Sequence, residues 1–148
     1  MSEEDKALAV TRAFVDAIPH NKALGIDVIS FGHGEAVFQL PYDEKLVGNP
    51  DTGVLHGGAI TALLDACSGA AVFAALAELL PIATLDLRID YLRAGDVGKP
   101  IACRASCYRL TRNVAFTRAV AYHDDETDPI ATSMGTFMLG TKAAGNKK

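Results

Sequence analysis

The chain has 148 residues, 49% of them hydrophobic and 22% charged, with a formal net charge of −4 at pH 7. That length and balance describe one globular domain, residues 1–148, large enough to bury a helix against a sheet. A net acidic chain excludes a nucleic-acid partner, and the acidic start, MSEEDKALAV, is unlike the basic opening of a secretory leader.

The first 18 residues read as an amphipathic helix, with Ser2 as N-cap, Leu8, Phe14, Val15 and Ile18 on one side, and Pro19 as its stop. Leu24–Phe31 and Glu35–Leu40 alternate as strands, and Gly32-His33-Gly34 between them is a hairpin signal. From Pro41 to Leu55 the chain, PYDEKLVGNPDTGVL, is rich in turn residues and reads as a loop. It delivers the chain to His56–Leu80, a run of helix formers that opens on His-Gly-Gly and stops at Pro81. Small or apolar residues lie all the way round this helix, which predicts a buried helix. Its longest uncharged run, Ala66–Ala77, is shorter than the roughly 20 residues a membrane span needs, so no membrane partner is expected.

Four strands follow: Ile82–Arg93, Lys99–Leu110, Asn113–His123 and Pro129–Leu139. In the first, Leu85, Leu87, Ile89 and Tyr91 share one face, and Thr84, Asp86, Arg88 and Asp90 share the other. Short connections predict an antiparallel meander, and the tail, residues 142–148, is expected to be disordered. The cysteines, Cys67, Cys103 and Cys107, are odd in number, which reads as reduced thiols in a cytoplasmic protein. Cys103 and Cys107 have no histidine nearby in sequence, so no metal site is expected. The order of elements gives an α+β class, one antiparallel sheet wrapped around one long central helix, which is the hotdog fold.

The chemistry concentrates on the central helix. Asp65 has apolar neighbours on both sides, and a lone buried carboxylate costs several kcal/mol unless it is paired or hydrogen-bonded. A polar seam at the helix edge is the alternative for it. A carboxylate in apolar surroundings is a stronger base than one in water. Gly57 and Gly58 leave the first N–H groups of the helix uncovered, where the positive end of the dipole suits a developing oxyanion. Gly57 and Asp65 lie eight residues apart, roughly 12 Å along a helix, too far for both to serve one reacting atom. Two antiparallel copies solve this, with Ala59, Ala62, Ala66 and Gly69 allowing close approach, so at least a homodimer is expected. No Gly-X-Ser-X-Gly motif is present, which disfavours serine hydrolase chemistry.

His56-Gly57-Gly58 followed by a small-apolar helix carrying Asp65 resembles the PaaI-like branch of the hotdog acyl-CoA thioesterases. Thr84–Arg93 and Arg112–Phe116 follow that family's order, and the resemblance covers Leu24–Leu139. It implies hydrolysis of an acyl- or aryl-acyl-CoA without cofactor, with Asp65 as base or nucleophile and the Gly57 N–H as oxyanion donor. His56 and Asn49 would be positioning groups, and the Thr84 hydroxyl would help hold the water. Asn49 lies seven residues before His56, one more than the family's spacing, and a turn role before Pro50 is the alternative. Arg93, Arg104, Arg109, Arg112 and Arg118 fall in the strand half. The candidates for substrate or coenzyme contact are Gly58, Arg93, Arg112 and Asn113. The resemblance also implies a homotetramer built from two dimers. Two other readings are a hotdog hydratase or dehydratase and a non-catalytic acyl-CoA sensor, and His-Gly-Gly with Asp65 favours the thioesterase over both. The acyl group itself is not legible, since small helix residues suit an aryl or a medium-chain pocket.

Overall fold

A computed structural model describes residues 1–141, so the predicted disorder of residues 142–148 lies outside the described residues. Helix α1 spans Glu3–Asp16 and is opened by a capping box: the Ser2 hydroxyl accepts from the Asp5 N–H and the Asp5 carboxylate accepts from the Ser2 N–H. Pro19 does more than stop this helix. It takes the first position of a second, short helix, α2 (Pro19–Leu24), which ends at Gly25 in the left-handed region with φ 70°. The chain therefore enters its first strand at Asp27 rather than at Leu24.

Six strands form one antiparallel sheet: β1 (Asp27–Gly32), β2 (Glu35–Leu40), β3 (Ile82–Tyr91), β4 (Ile101–Leu110), β5 (Val114–Tyr122) and β6 (Ala131–Leu139). Their spatial order, β1-β2-β4-β5-β6-β3, corrects the predicted four-strand meander. Only β4, β5 and β6 follow one another. β3 pairs with β6 at the edge, and β4 returns to pair with β2. The connection from Leu92 to Pro100 is long enough to carry the chain from that edge to the middle of the sheet, which a tight turn cannot do.

Helix α3 (Gly57–Ala75) lies against one face of the sheet, mainly over β4, β2 and β5. It ends before the predicted Leu80, because Leu76 is already extended. Its buried side, Ile60, Leu63, Leu64, Cys67 and Ala71, packs with Val28, Phe38, Leu40, Ile101 and Cys103. Each fully buried Leu, Ile or Phe contributes about 1.5–3 kcal/mol relative to exposure. All three cysteines are free thiols; that of Cys67 donates to the Ala36 and Cys103 carbonyls, and burial pushes the Cys103 thiol well above its ordinary value. The helix is apolar and long enough to pass for a membrane span by composition, but most of it is buried against the sheet.

The helix is not buried all round, contrary to the sequence expectation. Thr61, Ala62, Asp65, Ala66, Gly69 and Phe73 form a half-buried stripe along its other side. A single sheet covers only one side of a helix, and small residues on the far side do not read as a polar face in sequence.

Candidate active site

The loop before α3 fixes the helix entry. Val47 bridges to Leu55, the Gly48 N–H donates to the Val54 carbonyl, and the His56 N–H donates to the Leu46 carbonyl at 2.8 Å. A Cβ on Gly48 would meet the His56 Cα at 2.7 Å, so only glycine lets the loop close this tightly. His56 is the N-cap of α3: its Nδ1 accepts from the Gly58 N–H at 2.8 Å. The Gly58 amide is thereby occupied, whereas the Gly57 N–H has no partner among the described residues. The Tyr91 and Thr61 hydroxyls lie 2.9 Å and 3.1 Å from the Gly57 carbonyl oxygen and within hydrogen-bond distance of each other, and their two protons serve two of these three contacts at a time. The far end of β3 is thus tied to the first turn of α3.

Asp65 sits two turns further along, on the open stripe. Its carboxylate accepts a hydrogen bond from the Thr84 hydroxyl at 2.9 Å. This contact depends on a feature the alternation pattern hid. A bulge at Leu85 shifts the register between Thr84 and Asp86, so Thr84 pairs with inward-facing Phe137 and Leu87 with Gly135. Thr84 consequently shares the helix-facing side with Leu87, Ile89 and Tyr91. Leu85, predicted to belong to that side, is 53% exposed.

Asp65 and Thr84 line a cleft of about 640 Å³. Gly58, Thr61, Ala62 and Ala66 of α3 and Leu87 of β3 line it as well. The elbow between α1 and α2 contributes Ile18, His20 and Asn21 to its lining. Sequence reading missed these residues and Tyr91 as site residues. The available signal was Pro19, which suits the first position of a new helix as well as the end of an old one. A second, smaller cleft continues from His20 and Gly58 toward His56 and Leu46.

The remaining candidates lie elsewhere. Asn49 is exposed in the loop, its side-chain carbonyl accepting from the Asp51 N–H at 3.0 Å in an Asx turn. Arg93 is held by Asp128, with a guanidinium nitrogen 3.2 Å from each of its carboxylate and carbonyl oxygens, and by Asp96. It braces two loops. Arg104 is bound by Glu126 and Glu35, and the guanidinium of Arg118 lies 4.2 Å from the centre of the Tyr108 ring. Arg112 and Asn113 occupy the exposed β4–β5 turn, where the Asn113 carbonyl accepts from Leu139 N–H. Since Leu139 pairs with Ile82, that turn lies by the start of β3, at the end of the sheet opposite Tyr91 and the helix entry. Arg112 forms no ion pair among the described residues.

Comparison with known proteins agrees with this architecture. A family model described as the thioesterase superfamily matches residues 52–130. The medium/long-chain acyl-CoA thioesterase YigI of Escherichia coli K12 is 29% identical over 95% of this chain and 97% of its own length. A crystal structure of a Pseudomonas aeruginosa protein superimposes with a TM-score of 0.80 at 42% identity, covering 88% of this chain and 97% of that one. The phenylacetic acid degradation protein PaaI of Thermus thermophilus, in a mutant structure, gives a TM-score of 0.71 at 28% identity, covering 81% and 97%. With its single wrapped sheet, its central helix and the His-Gly-Gly entry, the chain belongs to the thioesterase superfamily, as a hotdog-fold thioester hydrolase of the PaaI-like branch.

Proposed function

We propose that the protein hydrolyses acyl-CoA thioesters of medium or long chain at a site shared between two copies of the chain, with Asp65 as general base. The observation that carries this reading is the Asp65–Thr84 pair, a half-buried carboxylate held at 2.9 Å in a cleft beside a helix entry with a free amide. The Thr84 hydroxyl spends its proton on Asp65, and its oxygen retains lone pairs to accept from a water. A water between the two gives one proton to Asp65 and points the other at Thr84, leaving its own lone pair toward the thioester carbonyl. Attack forms the carbon–oxygen bond and places negative charge on the carbonyl oxygen. Collapse breaks the carbon–sulfur bond, and the proton taken by Asp65 passes to the departing thiolate.

The oxyanion needs a donor within about 3 Å, and the Gly57 N–H of the same helix is two turns away. The partner copy supplies it in an antiparallel pair of α3 helices. Ala62, Ala66 and Gly69 on the open stripe are small enough for that approach, while Ala59, which the sequence reading included, is buried in its own core. The edge of β3 that pairs with no strand among the described residues, and the exposed Leu79, Leu85 and Leu92 along it, supply apolar surface for the same contact.

The chain-length preference follows YigI and the apolar lining that the helix contact leaves free, Ile18 and Leu87. A panel of short, medium, long and aryl acyl-CoAs, scored by release of free thiol, tests it. Medium or long chains should give the highest kcat/KM; no thiol release from any of them would refute the activity.

A further inference from the structure

Asn21 is a polar residue of the cleft that this mechanism does not use, as is the more exposed His20. Asn21, in α2, is 7% exposed, yet its side-chain amide makes no hydrogen bond among the described residues. It lines the same cleft as Asp65 and Thr84, with Ile18 and the small residues of α3. Its backbone carbonyl is fully engaged, accepting from Gly25 and Ile26, so the side chain is not needed to close α2. The buried side-chain polar atoms without a partner among the described residues are Ser68 Oγ and Ser133 Oγ, so the Asn21 amide reaches the solvent of the cleft. A plain hydrocarbon chain entering there would strip that water and leave the amide unpaired. The attacking water does not need it, because Asp65 and Thr84 take both of that water's protons.

We propose that Asn21 is a specificity residue that hydrogen-bonds a hydroxyl on the acyl chain near the thioester, so that the preferred substrates are hydroxyacyl-CoAs. The inference rests on the thioesterase reading above and narrows its substrate class. An amide offers one acceptor and two donor hydrogens, and a hydroxyl is a group that engages both kinds at once. A site built around such a bond discriminates against the analogue lacking the hydroxyl, because the amide is then left unpaired.

The test compares acyl-CoAs of equal medium chain length that are unsubstituted, 2-hydroxylated or 3-hydroxylated, by kcat/KM from thiol release. Wild type should favour one of the hydroxylated substrates over the unsubstituted one by about ten-fold or more. Asn21→Leu, similar in size but without the amide, should collapse that ratio toward one by weakening the hydroxylated substrate. Asn21→Ala, read in the same way, serves if the leucine variant does not fold. Equal wild-type rates on all three substrates would overturn the role of Asn21 and leave the thioesterase reading standing. So would a ratio that survives substitution while both rates fall together. Absence of thiol release from all three would remove the thioesterase reading itself, and this inference with it.

Discussion

The two sides of helix α3 differ in what they ask of a side chain. The covered side carries Leu63, Leu64, Cys67 and Ala71, all fully buried against β2 and β4, and every one is chosen by volume. The open side carries Gly58, Thr61, Ala62, Asp65, Ala66 and Gly69, where residues are small or carry a reacting group. A substitution on the first side should therefore act on stability, and one on the second side on turnover. The difference teaches that an apolar helix in a one-sheet fold is two objects, a core wedge and a platform for chemistry.

The largest effect that would sharpen this contrast is at Asp65. Asp65→Asn should lower kcat by on the order of 10²-fold or more while leaving the melting temperature close to wild type. Wild-type turnover in a folded Asp65→Asn protein would remove the carboxylate from the chemistry. On the covered side, Leu63→Ala should cost about 2–5 kcal/mol in chemical denaturation, with activity per folded molecule retained. Activity lost in the fully folded fraction would show that the two sides are not separable.

How much of this contrast was legible follows from which signals are local. The start of the helix at His-Gly-Gly and the number of strands rest on patterns within a few residues, and they read correctly, whereas the helix ends at Ala75 rather than Leu80. The openness of the stripe was not legible, because alanine and glycine suit a buried face and a close-packed subunit face equally well. The place of β3 was also hidden: edge pairing with β6 is a long-range fact, and the Leu85 bulge reverses the alternation from which the strand's inner face was read. Thr84 was nevertheless named from family resemblance, and the bulge explains how it reaches Asp65. The elbow residues Ile18, His20 and Asn21 escaped notice because α2 is six residues long, too short to show a helical period.

A smaller effect belongs to Thr84. Thr84→Val keeps the shape and deletes the hydroxyl, and it should lower kcat by about ten-fold, since a hydrogen bond to a charged group is lost. An unchanged kcat would mean that Thr84 packs beside Asp65 without orienting it or its water. Smallest is Arg112, on an exposed turn far from the helix entry. Arg112→Ala should raise KM for an acyl-CoA by about five-fold and spare a thioester truncated to pantetheine, which lacks the nucleotide phosphates. Equal shifts for both substrates would assign Arg112 to structure instead.

The central claim is that the open sides of two helices make one site. Co-refolding equal amounts of Asp65→Ala and Gly57→Pro, each inactive alone, tests it most directly, with mixed dimers confirmed by mass. Half the dimers then pair unlike chains, each with one intact and one doubly damaged site, so about a quarter of wild-type activity should return. Mixed dimers that form and show no activity would place the whole site within one chain and contradict the account.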